Sequence, residues 1–132
     1  MLVNAHGGNY VLSNIVQEAN ANGTRMARFP SAQNWKDARV AAQLEPSIHE
    51  DMHAGEIETS ILLHSHPELV KDGYQTADWV ADDRRHLLTQ GLSAYTTSGV
   101  IGRPSLSSAN KGKAVLASLI HSFADVLQIL KP

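Results

Sequence analysis

The chain has 132 residues, enough for one domain around a single core and too few for two cores of useful size. Its composition, 42% hydrophobic and 18% charged, is that of a globular chain and argues against disorder. A formal net charge of -2, with Lys and Arg spread along the sequence, supplies no basic field for a nucleic-acid backbone. There is no cysteine, so any metal must bind through nitrogen and oxygen. No apolar run approaches the roughly 20 residues of a membrane span, and Met1 to Asn4 lacks the zones of a secretory signal. The expected location is cytoplasmic, with neither membrane nor nucleic acid as partner.

Leu2 to Ala5 reads as a short buried strand that stops at Gly7-Gly8 and leaves His6 at its carboxyl end. Val11, Leu12, Ile15, Val16 and Ala19 recur at helical spacing and predict a helix over residues 10–22, with Asn22-Gly23 as its stop. Arg25 to Phe29 is a weaker strand, ended by Pro30. Strand, helix, strand over this length is a βαβ unit, which favours a parallel sheet flanked by helices. In such sheets ligands sit outside the strands' carboxyl ends, where His6 and Asn9 fall.

Residues 31–52 show little periodicity and read as a long loop with a short helical turn around Lys36 to Gln43. Helical spacing returns over residues 54–64 through Ile57, Ile61 and Leu62, and Pro67 closes it. His53 and Glu56, three positions apart, fall on one helical face, and Ser60 continues that stripe. Residues 71–97 read as loop with a turn of helix at Asp82 to Leu88, and Gly99 to Gly102 as an extended piece leaving a turn. A core helix is expected from Ser108 to Lys131, carried by Val115, Leu119, Phe123, Val126 and Leu130.

Two clusters carry the chemistry: Val3-Asn4-Ala5-His6-Gly7-Gly8-Asn9 and Asp51-Met52-His53-Ala54-Gly55-Glu56-Ile57-Glu58-Thr59-Ser60. Imidazole and carboxylate are the ligands and proton carriers of hydrolytic metal centres. The first cluster reads equally as a strand-to-helix turn holding a hydrogen-bonded histidine. The second reads also as a helix entry, with Asp51 as cap and glutamates opposing the macrodipole.

Together with Gly99-Val100-Ile101-Gly102-Arg103-Pro104 and Lys111-Gly112, these motifs resemble the creatininase family of metal-dependent amidohydrolases, matching the C-terminal part of its domain. The resemblance implies a three-layer α/β/α fold with a mainly parallel sheet, here incomplete, within a single domain over residues 1–132. It implies an assembly that is often hexameric and a two-metal centre, zinc and/or manganese, cleaving a C–N bond in a cyclic or linear amide through a metal-bound hydroxide. By motif position, His6 and Glu56 are the metal ligands and His53 the proton carrier at the substrate. Asn9, Trp35 and Ser60 are candidates for the substrate pocket. Creatininases proper place a ligating glutamate where this chain has Gly8, which argues against creatinine itself as substrate.

The family's first motif, a Glu-x-His pair followed by an aspartate, is not found in this sequence. A catalytic zinc takes three protein ligands, so His6 and Glu56 need others from elsewhere. The expectation is a truncated form or one half of a split enzyme, completed by a separate N-terminal half. The alternatives are a non-catalytic remnant and a small metal-binding or regulatory domain. Of the remaining histidines, His64 and His66 read as helix-end residues, His49 as a loop residue and His121 as bordering the core; Asp82-Asp83-Arg84-Arg85 reads as a solvated ion-paired turn.

Overall fold

The computed structural model describes residues 1–131. By its internal contacts the chain gathers into two compact units, one of Met1–Ala38 with the chain from Ala117 onward, the other of Arg39–Leu116. Each contains elements that follow from its own sequence.

In the first unit, β1 (Leu2–Val3) pairs in parallel with β2 (Arg28–Phe29), Leu2 opposite Arg28 and Val3 opposite Phe29. Between them in the chain runs α1 (Val11–Ala19), so the βαβ unit is present and the fold is α/β with a small two-stranded parallel sheet. Helix α1 ends three residues before its expected stop. There Asn20 takes hold of the return segment: its amide donates to the Met26 carbonyl (2.8 Å), and its side-chain oxygen accepts from the Arg25 and Met26 N–H groups. Leu12, Val16 and Ala19 of α1 are half-buried, while Val11 and Ile15 remain exposed. Buried Phe29 meets Phe123 edge-on, with ring centroids 5.1 Å apart, a favoured aromatic geometry.

Where a long loop is expected, the chain forms α2 (Ala32–Ala41). Ser31 and Asn34 cap it reciprocally: the Ser31 N–H and hydroxyl donate to the Asn34 side chain, and the Ser31 hydroxyl accepts from the Asn34 N–H. The apolar face of this stretch consists of Trp35 with Ala38 and Ala42, and one large residue beside two small ones gives little periodic signal.

The second unit holds α3 (Glu56–Ser65), α4 (Leu87–Gln90) and several single 3-10 turns, including Pro67–Leu69 and Pro104–Leu106. Its core includes Ile57, Ile101, Pro104 and Val115, with Glu56 and Ser60 buried among the largest enclosed side chains. Ile101 and Gly102 form the middle of a short antiparallel arrangement, Ile101 bridging to His53 and Gly102 to Trp79. The long α5 (Ala109–Ile129) closely matches the expected helix. Among the described residues no helix is long and apolar enough to cross a membrane.

Candidate functional site

His6 lies in the loop between β1 and α1, exposed, as the strand-end rule requires. Its neighbours build a small polar frame. The Asn4 amide donates to the His6 carbonyl (2.8 Å), and the Asn9 amide donates to the Asn4 side-chain oxygen (2.7 Å). The Gly8 N–H donates to the His6 Nδ1 (3.0 Å), which fixes the neutral ring's proton on Nε2. Ligating a metal through Nδ1 would therefore replace that bond, and through Nε2 would move that proton. Asn9 serves the loop itself.

The second cluster is organised by Asp51, whose side chain is 0% exposed. Its Oδ1 accepts from the Glu56 N–H (2.6 Å), while Oδ2 accepts from the Ile57 N–H (3.1 Å) and from Arg39 (3.0 Å). Two of the orphan donors at the start of α3 are thereby satisfied by a carboxylate placed at the positive end of the helix. Arg39 also donates to the Pro46 carbonyl. The helix entry read from Asp51 is thus real, and Asp51 caps from outside the turn, with Gly55 at the cap position itself.

His53 precedes α3 instead of lying on it, because the helix begins at Glu56. The helical stripe of His53, Glu56 and Ser60 is therefore only half realised. His53 is held in extended backbone, its N–H donating to the Ile101 carbonyl (2.9 Å) and its carbonyl accepting from the Ile101 N–H (2.8 Å). Next to it, Ala54 adopts a left-handed φ of 52°, with its N–H donating to the Glu58 carboxylate. The His53 side chain is half-buried on this doubly anchored support.

Glu56 and Ser60, one turn apart, form the inward face of α3, both 0% exposed. The Ser60 hydroxyl accepts from the Ser108 N–H (3.1 Å), and the Ser107 hydroxyl donates to the Glu56 carbonyl (3.1 Å). Both Glu56 carboxylate oxygens are engaged: Oε1 pairs with the Lys111 ammonium, and Oε2 accepts from the Glu45 N–H (3.0 Å). Lys111 donates in addition to the Leu106 carbonyl (2.9 Å). Sequence reasoning took Lys111 only as part of a dipeptide motif. The signal that a cation is needed there, a glutamate on the buried face of α3, is present in the sequence, but its partner lies 55 residues away.

Trp35 is half-buried on α2. His49 is tied into its loop, Nε2 bonding the Asp82 carbonyl (3.0 Å) and Arg84 donating to the His49 carbonyl (2.7 Å). His66 Nδ1 lies 3.1 Å from the exposed Glu68 carboxylate at the end of α3, and His121 is exposed. Asp83 and Arg85 form the expected solvated pair (2.9 Å), and the guanidinium holds the Asp83 carboxyl below its ordinary range.

His6, Asn9 and Trp35 belong to the first unit, and His53, Glu56 and Ser60 to the second. Among the described residues no three His, Asp or Glu side chains gather as a metal site. With Glu56 already neutralised and the His6 Nδ1 already bonded, the side chains of this chain do not by themselves fit a divalent metal.

Residues 1–127 match the creatininase family, described as creatinine amidohydrolase. Among curated proteins, the mycofactocin precursor peptide peptidase of Mycolicibacterium smegmatis is 28% identical over 137 residues, an alignment covering 100% of this chain and 49% of that protein. The protein of the same name from Mycobacterium ulcerans is 32% identical over 124 residues, covering 91% of this chain and 44% of its own length. The chain spans about half the length of these relatives. No solved structure gives a significant match. With the match running from the His6 loop through both units to α5, the chain belongs to the creatininase family of divalent-metal-dependent amidohydrolases.

Proposed function

We propose that the chain is one portion of a creatininase-type hydrolase that cleaves a C–N bond in a cyclic or linear amide, completed by metal ligands from outside these residues. The observation that carries this reading is the family match over residues 1–127, which spans both units. The relatives are named as peptidases, which favours a linear peptide amide as substrate.

In this reading His6 is a metal ligand once its loop releases Nδ1 or shifts its ring proton, and zinc and/or manganese is the metal. The second-ligand role that the motif implies for Glu56 would require the metal to displace Lys111. His53 passes a proton to the departing nitrogen, since an imidazole exchanges protons near neutral pH. Its backbone, bonded to Ile101 through both N–H and carbonyl, holds it on a rigid support. Asn9, Trp35 and Ser60 keep their assignment to the substrate side, although Asn9 and Ser60 also serve local hydrogen bonds. The wider arrangement proposed is a single three-layer α/β/α domain in a cytoplasmic homo-oligomer, a hexamer by family habit, with a separate N-terminal half as partner.

The test is co-expression of the chain with the portion of the M. smegmatis relative that it does not span, followed by elemental analysis and assay on peptide amides. Zinc or manganese uptake with hydrolysis is expected. Replacing His53 with Ala in that complex should spare metal and lower turnover by about 10²- to 10⁴-fold. A complex that stays metal-free at saturating zinc and manganese would refute the proposal. A second reading, a non-catalytic module, is favoured by the engaged Glu56 carboxylate, and that same metal-free outcome would support it.

A further inference from the structure

Glu56, like Asp51, has a wholly enclosed side chain with both oxygens already partnered, but its counter-charge is the lysine at the start of α5. A buried carboxylate without a counter-charge would be strongly unfavourable. Lys111 supplies that charge from the first turn of α5, with its stem half-buried and its ammonium shared between Glu56 and the Leu106 carbonyl. The contact joins three stretches far apart in sequence, the Glu45 loop, the start of α3 and the start of α5. The Ser107 and Ser108 bonds to α3 reinforce the same seam. The bonds from Glu45, Ser107 and Lys111 meet at Glu56, three residues after His53 in the chain.

We infer that Glu56 is a positioning residue, with Lys111 as its fixed counter-ion, and not a metal ligand; this rests on the reading of His53 as the proton carrier. The Lys111 ammonium occupies the seat that a divalent cation would need. Pinned there, Glu56 anchors the first residue of α3, while Asp51 holds the same residue by its N–H. The segment 51–56 is thereby fixed at both ends, and with it the backbone from which the His53 imidazole projects.

The test uses the full chain with carbon-13-labelled histidine, comparing wild type, Glu56→Gln and Lys111→Met by the ring signals of His53 and His6. Both single variants should move the His53 signal in the same direction, although they change the net charge in opposite senses, because each releases the same pin. Glu56→Gln should keep the response of His6 to added zinc within about twofold, less than the 1.4 kcal/mol that a tenfold change represents. Loss of that response by about tenfold or more in a folded Glu56→Gln variant would make Glu56 a ligand and overturn the inference. A His53 signal unmoved in both variants, or moved in opposite directions as a simple field effect, would also overturn it. If wild-type His6 shows no response to zinc, the metal reading of His6 fails and the His53 comparison alone decides the inference. Should either single variant fail to fold, the double variant Glu56→Gln with Lys111→Met removes both charges. Recovered folding with the His6 response kept supports the inference, and loss of that response in the double variant overturns it.

Discussion

A methyl group added at Gly102 would lie 2.7 Å from the Gly55 Cα and 2.8 Å from the Asp51 carboxylate, so two backbone segments and a buried acid would have to part. Gly102→Ala should therefore destabilise the chain by about 1–3 kcal/mol, the range for overpacking a close contact, as read by urea unfolding. A variant as stable as wild type would show that the 51–55 and 101–102 segments are not locked together. At Gly8 the obstacle is instead the flexible His6 ring, 2.8 Å from the added carbon. Gly8→Ala should leave stability within about 0.5 kcal/mol and displace the His6 ring signal, and an unmoved ring would contradict the described loop. In the sequence Gly7-Gly8 reads as the stop of a strand and Gly99 to Gly102 as an extended piece leaving a turn. Which atoms they admit depends on partners distant in the chain, and no local pattern encodes that.

The start of α3 depends on Asp51 more than on any residue inside the helix. Removing its carboxylate by Asp51→Ala leaves the buried Arg39 guanidinium without its counter-charge and uncovers the Glu56 and Ile57 donors. Breaking a buried pair in this way should cost about 3–5 kcal/mol in chemical unfolding, and a loss under about 1 kcal/mol would show the network to be marginal. The turn just before it has a measurable acid response. Glu50 sits below its ordinary value of 4.5 because the Ser47 N–H, and then the Ser47 hydroxyl, favour its charged form. A depressed carboxylate contributes stability above its unfolded value and loses it as pH falls through the folded one. Amide exchange at Ser47 should thus quicken as pH drops below about 4.5, beyond the intrinsic pH trend, and Glu50→Gln should abolish the difference. Exchange indifferent to Glu50→Gln would refute the assignment. The elements legible in sequence were those with large apolar residues at regular spacing, α1, α3 and α5. Helix α2 was hidden because its inward face has a single large apolar residue, Trp35, beside alanines, and its cap uses Asn34 where a glutamate or glutamine is the usual signal.

Across the whole chain, the βαβ order and the family could be read from sequence, because both rest on local motifs taken in chain order, and the two strands pair although only two residues each. The division of labour among the motif residues could not. His53 and Glu56 looked like partners on one helical face, whereas one lies before the helix and the other faces into the core beside Lys111. Burial decides between ligand and structural acid, and burial is set by long-range packing. The pairing of His53 with Ile101 has a further effect on how such a protein can vary. Because the two residues exchange both backbone hydrogen bonds, a replacement in the Ser98 to Val100 turn that tilts the incoming strand will rotate the imidazole with it. Insertions or swaps in that turn thus become a route for reorienting His53 without altering any residue of the 51–60 motif.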